Sequence, residues 1–256
     1  MFDQDGTIYL GDELLPTVAE ALSRIRERGI PVRFLSNNPT KSPAEYLAKL
    51  NRLGLQADPA EIVNTLVTTT HWLREHRRGA VGYPIGEEPL HRALIEAEIE
   101  ISDDPARIDI VLASYDRTFE YRKLQIAFDA LWFHKRAVLM STNPDRYCPF
   151  PGGRGEPDAA SIVAAIEAST GVVCERTFGK PSRQMLDVIM DDLGVPLESA
   201  VMVGDRLMTD VAMGRRAGMD AALVLTGDSS VADIAKVIEA DRPTWVLERL
   251  IDLLPA

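Results

Sequence analysis

The sequence predicts an α/β fold in which a doubly wound, mostly parallel sheet carries helices on both faces. Short apolar segments alternate with amphipathic helical segments along the chain, and polar residues follow several of the apolar segments directly. The 256 residues, of which 46% are hydrophobic and 26% charged, are enough to bury a substantial core. We therefore expect the polar residues to lie at the carboxyl ends of parallel strands.

The first part of the chain alternates between strands and helices. A short apolar start ends at Asp3, and a helix is expected over 16–28 because a proline lies in its first turn and Gly29 stops it. An apolar strand is expected over 31–36. A helix follows over 43–53, with its leucines on one side.

A second alternating block runs from about residue 79 to 177 and predicts an inserted domain. Its expected strands lie near 80–84, 108–113 and 137–142, and its expected helices near 87–96, 120–134 and 158–170. Residues 143–158, which include Pro151 and Gly152, are rich in proline and glycine and are expected to form a structured loop. The predicted domains are thus a core of residues 1–78 and 178–256 and an inserted α/β domain of residues 79–177.

After the insertion the first pattern resumes. The expected elements are a helix over 182–193, a strand over 200–203, a helix over 208–217, a strand over 221–225, and helices over 231–239 and 246–254.

Four stretches place polar side chains directly after apolar segments, and together they are candidates for one site. These residues are Asp3 and Asp5, Ser36 and Asn37, Lys180, and Asp205 with Asp210. Each stretch also has an ordinary explanation, since aspartate and glycine form turns, Ser-Asn-Asn caps helices and a lysine is usually solvated. A calcium loop beginning at Asp3 is excluded because Leu14 stands where that loop requires a glutamate.

Composition and the remaining motifs exclude several classes of function. The formal charge of −11 opposes a general attraction to nucleic acid, so no nucleic-acid partner is expected. No apolar run approaches the ~20 residues of a membrane helix, and the N-terminus lacks a signal segment, so we expect a cytoplasmic protein.

Cys148 and Cys174 are expected to be reduced thiols. His71 and His76 lack the spacing of a zinc pair, and no P-loop sequence occurs.

The four stretches, in this order and spacing, resemble the four motifs of the haloacid dehalogenase-like phosphohydrolases. The resemblance covers essentially the whole chain and is carried further by Tyr9-Leu10-Gly11, Leu35-Ser36-Asn37-Asn38, Ser141-Thr142-Asn143-Pro144-Asp145, Gly179-Lys180-Pro181 and Gly204-Asp205-Arg206-Leu207. These segments are similar to those of the branch that holds the 4-nitrophenyl phosphatases, sugar and nucleotide phosphatases, phosphoglycolate phosphatase and pyridoxal-phosphate phosphatase. The resemblance implies a Rossmann-like core, a cap domain that closes over the site, and a possible homodimer through the cap.

The resemblance also implies an activity, a cofactor and a role for each candidate residue. The expected protein is a Mg²⁺-dependent phosphatase of a small phosphorylated metabolite, such as a sugar phosphate or a nucleotide. Asp3 is then the nucleophile that forms an aspartyl-phosphate, and Asp5 is the general acid and base. The phosphoryl oxygens are expected to be held by Ser36, Asn37 and Lys180, and the metal by Asp3, the backbone carbonyl of Asp5, Asp205 and Asp210.

Two positions depart from the family pattern. Only Met1 and Phe2 precede Asp3, where several apolar residues are usual, and we therefore expect further residues upstream of Met1. Gln4 stands between the two aspartates, where an apolar residue is usual.

Two other functions remain open. One is a phosphotransferase or mutase that passes the phosphoryl group to an alcohol, and the other is a non-catalytic protein that binds a phosphorylated metabolite. A dehalogenase is disfavoured because Asp5 supplies a proton donor that this reaction does not need. Contact with the leaving group is expected from Asn143, Asp145, Arg146 and Tyr147, with a role in shaping the loop as the alternative.

Overall fold

The computed structural model describes residues 1–150 and 153–254, so Pro151 and Gly152 of the predicted loop lie outside the described residues. The strands of the described residues are, in chain order, β1 (Phe2–Asp3), β2 (Tyr9–Leu10), β3 (Glu13–Leu14), β4 (Phe34–Ser36), β5 (Ile62–Asn64), β6 (Gly82–Ile85), β7 (Ile110–Ala113), β8 (Val138–Ser141), β9 (Tyr147–Phe150), β10 (Arg154–Pro157), β11 (Arg176–Thr177), β12 (Val201–Gly204), β13 (Asp220–Val224) and β14 (Trp245–Leu247). The α-helices are α1 (Val18–Glu27), α2 (Pro43–Arg52), α3 (Thr65–His76), α4 (Glu88–Glu96), α5 (Tyr121–Phe128), α6 (Ala159–Thr170), α7 (Gln184–Leu193), α8 (Ala212–Arg216) and α9 (Val231–Ile234).

The chain divides into two compact units, of which the first comprises residues 1–36, 43–63 and the chain from Lys180 onward. This first unit contains a six-stranded sheet in the order β14-β13-β12-β1-β4-β5. Strand β1 is central and parallel to both neighbours, with Phe2 opposite Val203 of β12 and Phe34 of β4. The chain leaves β1 in one direction along the sheet and returns on the other side, which makes this the place where open α/β sheets bind ligands.

Helix α1 shows how the first unit builds its core. Its buried residues Val18, Leu22 and Ile25 lie on one stripe and join the same apolar cluster as Phe2 and Phe34 of the sheet. Burial of this stripe explains why the helix predicted from the sequence forms at this position.

The second unit comprises residues 37–42 and 64–179. It contains a parallel four-stranded sheet in the order β11-β8-β7-β6 and an antiparallel hairpin of β9 and β10. Apolar side chains cover the two faces of the sheet, with Val111 and Leu139 in one cluster and Leu112 and Met140 in another. Alternate residues of β7 and β8 thus point to opposite cores, as expected for a sheet with both faces covered.

These two sheets confirm the predicted α/β class. The assignment of residues 1–78 and 178–256 to a catalytic core, and of residues 79–177 to a cap, stays a prediction. We find no helix among the described residues whose length and apolar character would suit a membrane crossing.

Several predicted boundaries differ from the structure. The helix expected over 246–254 is wrong, because Trp245–Leu247 form strand β14 and Leu250–Leu253 form a single 3₁₀ turn. Tryptophan and valine favour strands, and β13 offers an edge for parallel pairing. The helix expected over 231–239 ends at Ile234, and the loop expected over 143–158 contains the β9–β10 hairpin.

Candidate active site

Three adjacent strands of the first unit end at the candidate site. Asp3 ends β1, Ser36 ends β4, and Asp205 follows Gly204 at the end of β12. Because these strands are neighbours and run in parallel, their carboxyl ends lie at the same edge of the sheet. This arrangement of parallel strands explains how Asp3 and Asp205, about 200 positions apart in sequence, come to lie at the same edge of the sheet.

Lys180 is buried among carboxylates of the same unit. Its Nζ donates a hydrogen bond to Asp3 Oδ1 and lies 2.7 Å from Asp210 Oδ1. Asp210 Oδ2 accepts a hydrogen bond from the backbone N–H of Arg206 at 3.1 Å. The side chains of Lys180 and Asp210 are 3% and 0% exposed, so water does little to stabilise their charges. Their mutual contact therefore takes the place of the lost hydration.

Asp205 completes a cluster of three carboxylates. One oxygen each from Asp3, Asp205 and Asp210 lie within 4.8 Å of one another. Asp205 Oδ2 accepts a hydrogen bond from the backbone N–H of Asp228 at 2.7 Å, whereas its Oδ1 is buried with no hydrogen-bond partner among the described residues. A buried carboxylate oxygen without a partner is costly, so this atom is a candidate for contact with a cation.

Burial and repulsion between neighbouring charges raise the pKa values of two carboxylates of this cluster, Asp3 and Asp205. Burial raises the pKa of Asp3, and although Lys180 opposes this shift, the charges of Asp210 and Asp205 add to it. Burial, with a contribution from Asp210, raises the pKa of Asp205 to about 6. Burial alone would lower the pKa of Lys180, but Asp210 and Asp3 outweigh it and raise that pKa. One ammonium group therefore faces three carboxylates, and a further cation would favour the ionised forms of Asp3 and Asp205.

Glycines allow the backbone to approach these carboxylates closely. A Cβ atom on Gly227 would lie 2.0 Å from Asp205 Oδ2, and one on Gly204 would lie 2.3 Å from Asp210 Cβ. Gly6 has a φ of +86°, and its Cβ would lie 2.4 Å from Asp205 Oδ2. Gly227 and Asp228 are not among the residues predicted from the sequence. They lie in the loop after strand β13, so the rule that ligands bind beyond the carboxyl ends of strands indicates this loop but not its contact with Asp205.

Ser36 and Asn37 are consecutive but belong to different units. In the first unit, Ser36 is buried and its Oγ donates a hydrogen bond to the Tyr46 hydroxyl at 3.0 Å. In the second unit, the side-chain amide of Asn37 donates to Asp145 Oδ2 at 2.9 Å, and its carbonyl accepts from Asn143 Nδ2 at 3.2 Å. Asn143 and Asp145 therefore have a loop-shaping contact in the structure, and their contact with a leaving group stays a prediction.

Asp5 is exposed and lies outside the carboxylate cluster. Its Oδ2 is 3.5 Å from the hydroxyl of Tyr9, which also lies 3.1 Å from Gln4 Oε1. Burial, followed by the charge of Asp5, raises the pKa of Tyr9, so the hydroxyl keeps its proton. Asp5 is therefore accessible from solvent, whereas Asp3 is held within the cluster.

The histidines of helix α3 have local partners outside the cluster. His71 Nε2 lies 3.3 Å from Glu75, and the ring of His76 stacks on Trp72 with centroids 4.6 Å apart. Both contacts are made within α3, between residues four positions apart.

Comparison with known proteins identifies related sequences along nearly the whole chain. A family model described as haloacid dehalogenase-like hydrolase matches residues 1–100, and one described as HAD-hydrolase-like matches residues 177–253. The chain is 33% identical to the acid sugar phosphatase of Staphylococcus aureus (strain USA300) over 235 residues, which are 91% of this chain and 88% of the relative.

Solved structures of phosphatases have the same fold. The crystal structure of 4-nitrophenylphosphatase from Thermotoga maritima matches with a TM-score of 0.92 and 34% identity, covering 98% of this chain and 94% of that one. Glycerol phosphate phosphatase from Mycobacterium tuberculosis, solved in complex with magnesium, matches with a TM-score of 0.89 and 27% identity, covering 99% of this chain and 75% of that one. The chain therefore belongs to the haloacid dehalogenase-like hydrolases, in the type IIA branch of phosphomonoester phosphatases.

Proposed function

We propose that this phosphatase hydrolyses a small phosphomonoester, such as a sugar phosphate, in a Mg²⁺-dependent reaction through an aspartyl-phosphate on Asp3. The observation that carries this proposal is the buried cluster of Asp3, Asp205 and Asp210 around Lys180. The names of the relatives, an acid sugar phosphatase and a 4-nitrophenylphosphatase, support a small phosphomonoester as the substrate.

The residues of the cluster fit Mg²⁺. Carboxylate oxygens of Asp3, Asp205 and Asp210, together with the backbone carbonyl of Asp5, would hold the ion, and such hard oxygen ligands are those that Mg²⁺ prefers. The unpartnered Oδ1 of Asp205 supports this assignment. When bound, Mg²⁺ would supply positive charge that keeps the carboxylates ionised and offsets the repulsion between Asp3 and the phosphate group. The magnesium complex of the M. tuberculosis phosphatase supports the same choice of metal.

In the first step, a carboxylate oxygen of Asp3 attacks phosphorus. A bond forms between this oxygen and phosphorus, and the bond between phosphorus and the leaving oxygen breaks. Asp5 donates its proton to the leaving oxygen, so the product departs as an alcohol. The exposure of Asp5 supports this role, because the proton donor must reach the leaving group.

In the second step, water attacks the phosphorus of the aspartyl-phosphate. Asp5, now ionised, accepts a proton from this water, the bond to Asp3 breaks, and inorganic phosphate leaves. In both steps, Ser36, the backbone N–H of Asn37 and the Lys180 ammonium would donate hydrogen bonds to the phosphoryl oxygens and stabilise their charge.

Substitution of the nucleophile tests this proposal. Asp3→Asn should lower the rate of phosphate release by about a thousandfold or more while the circular dichroism spectrum stays that of the wild type. EDTA should abolish activity, and added Mg²⁺ should restore it. Inorganic phosphate released in proportion to the alcohol would distinguish hydrolysis from transfer to another alcohol. Full activity in Asp3→Asn would refute the assignment of the nucleophile.

A further inference from the structure

Tyr9 is buried beside Asp5 and has no role in the two steps above. The chain folds back between Gln4 and Tyr9, since the Gln4 carbonyl accepts hydrogen bonds from the N–H groups of Ile8 at 2.8 Å and of Tyr9 at 3.2 Å. The N–H of Gly6 donates to the Tyr9 carbonyl at 2.8 Å. This turn places Tyr9 next to Asp5 through the backbone, before any side-chain contact is considered.

The hydroxyl of Tyr9 has one proton and two acceptors within reach. Gln4 Oε1 lies at 3.1 Å and Asp5 Oδ2 at 3.5 Å. Tyr9 is 0% exposed, so bulk water does not compete for the hydroxyl. Lys49 Nζ lies 3.5 Å from the centre of the Tyr9 ring, and this cation–π contact holds the ring in place. The hydroxyl is therefore held between the Gln4 and Asp5 side chains, and it donates its single proton to one of them at a time, with Gln4 Oε1 the nearer acceptor.

Gln4 has a polar side chain where packing alone would favour an apolar one. It is 0% exposed, and its Nε2 has no hydrogen-bond partner among the described residues. A buried amide nitrogen without a partner destabilises the fold, and an apolar side chain of similar size would avoid this loss. Gln4 Oε1 accepts a hydrogen bond from the Tyr9 hydroxyl, so the Gln4 side chain contributes to the placement of Tyr9.

From these contacts we infer that Tyr9 is a positioning residue for Asp5, with Gln4 holding the Tyr9 hydroxyl in place. The inference rests on the proposed function, in which Asp5 delivers a proton to the leaving oxygen. The Tyr9 hydroxyl limits the orientations of the exposed Asp5 carboxyl group and keeps it aligned for this transfer.

Dependence on the leaving group tests the inference. The ratio kcat/KM reports the first irreversible step, in which the leaving group departs, and 4-nitrophenolate needs a proton far less than an alkoxide does. Tyr9→Phe should lower kcat/KM about tenfold for an alkyl phosphomonoester that the wild type hydrolyses, and less than about twofold for 4-nitrophenyl phosphate. Gln4→Met keeps the volume of the side chain, and it should lower kcat/KM for the alkyl phosphomonoester by less than Tyr9→Phe does.

The Asp5→Asn variant separates positioning from a general structural effect. Asp5→Asn alone should lower kcat/KM for the alkyl phosphomonoester more than Tyr9→Phe does. Adding Tyr9→Phe to Asp5→Asn should not change the ratio of the two kcat/KM values further, because both substitutions impair the same proton transfer. Equal losses on both substrates in Asp5→Asn would overturn the acid role itself. Unequal losses in Asp5→Asn combined with equal losses in Tyr9→Phe would overturn only the positioning role.

Discussion

At the scale of single residues, Lys180 is central to the charge balance of the site. Its buried ammonium contacts both Asp3 and Asp210, and without it two buried carboxylates would lose the positive charge that they contact. The lysine therefore has a structural role in addition to the proposed contact with the phosphoryl oxygens.

Lys180→Met should destabilise the metal-free protein. Removal of one partner from a buried ion pair typically costs about 3–5 kcal/mol, because the remaining charge is left without compensation. Urea denaturation in the presence of EDTA measures this loss, and Mg²⁺ should recover part of it. The matched control is Lys236→Met, which removes an exposed ion pair with Asp233 and should leave the free energy of unfolding nearly unchanged. Equal effects of the two substitutions would contradict the prediction.

At the scale of elements, the strand ends were the most predictable part of the site. Asp3 and Asp205 come together as predicted because the parallel strands β1 and β12 bring their carboxyl ends to one edge. Lys180 lies in the loop between β11 and α7, and Asp210 lies in the helical turn Leu207–Val211, so strand ends alone do not explain their positions. The contact of Asp228 with Asp205 was not predicted, since it depends on how one loop approaches another.

The local structure of the ends of the chain was less predictable. Trp245–Leu247 form a strand because β13 provides a partner, and an apolar run this short is compatible with either a helix or a strand until the partner is known. The contact between Tyr9 and Gln4 was also missed, because side-chain hydrogen bonds within a turn depend on backbone angles that residue types alone do not determine.

Asp116, in the turn between β7 and α5, should make the stability of the fold depend on pH. Asp116 accepts hydrogen bonds from Lys123 Nζ at 2.5 Å and from the backbone and hydroxyl of Thr118 at 2.9 and 2.6 Å. Burial would raise the pKa of Asp116, but these donors outweigh it and hold that pKa below its usual value. The ionised side chain thus stabilises the fold above the ordinary aspartate pKa, and this contribution is lost as pH falls through the lowered folded-state pKa.

Asp116→Asn should lower the free energy of unfolding by about 1–3 kcal/mol at pH 7, and the difference from the wild type should shrink as the pH falls below 4. Urea denaturation at a series of pH values measures this difference. Asp103→Asn changes an exposed aspartate of the same unit and should have little effect at any pH. A loss that stays constant from pH 7 to pH 3 would show that the charge of Asp116 is not the cause.

At the scale of the whole molecule, the first unit is assembled from three separate stretches of chain. Lys180 and Asp3, which contact each other in the site, are 177 residues apart in sequence. A ligand that binds this cluster contacts residues that are brought together only by folding. Binding should therefore stabilise the folded state.

Mg²⁺ should accordingly raise the melting temperature of the wild type. A concentration 100 times the dissociation constant stabilises a folded protein by about 2.7 kcal/mol if the unfolded chain does not bind the ion. Differential scanning calorimetry with and without Mg²⁺ measures the shift. The Asp205→Asn variant should show a much smaller shift, whereas Asp187→Asn, which alters an exposed aspartate of the same unit, should behave as the wild type. Equal shifts in all three proteins would exclude the carboxylate cluster as the metal site.

The central claim is that Asp3 becomes phosphorylated during turnover. It is tested most directly by acid quenching the Mg²⁺-loaded enzyme within milliseconds of mixing with 4-nitrophenyl phosphate, followed by peptide mapping by mass spectrometry. We expect a phosphoryl group on Asp3 that is absent from Asp3→Asn and is gained at the rate of nitrophenol release. A phosphoryl group on a different residue, or release of nitrophenol at full rate in Asp3→Asn, would contradict the account.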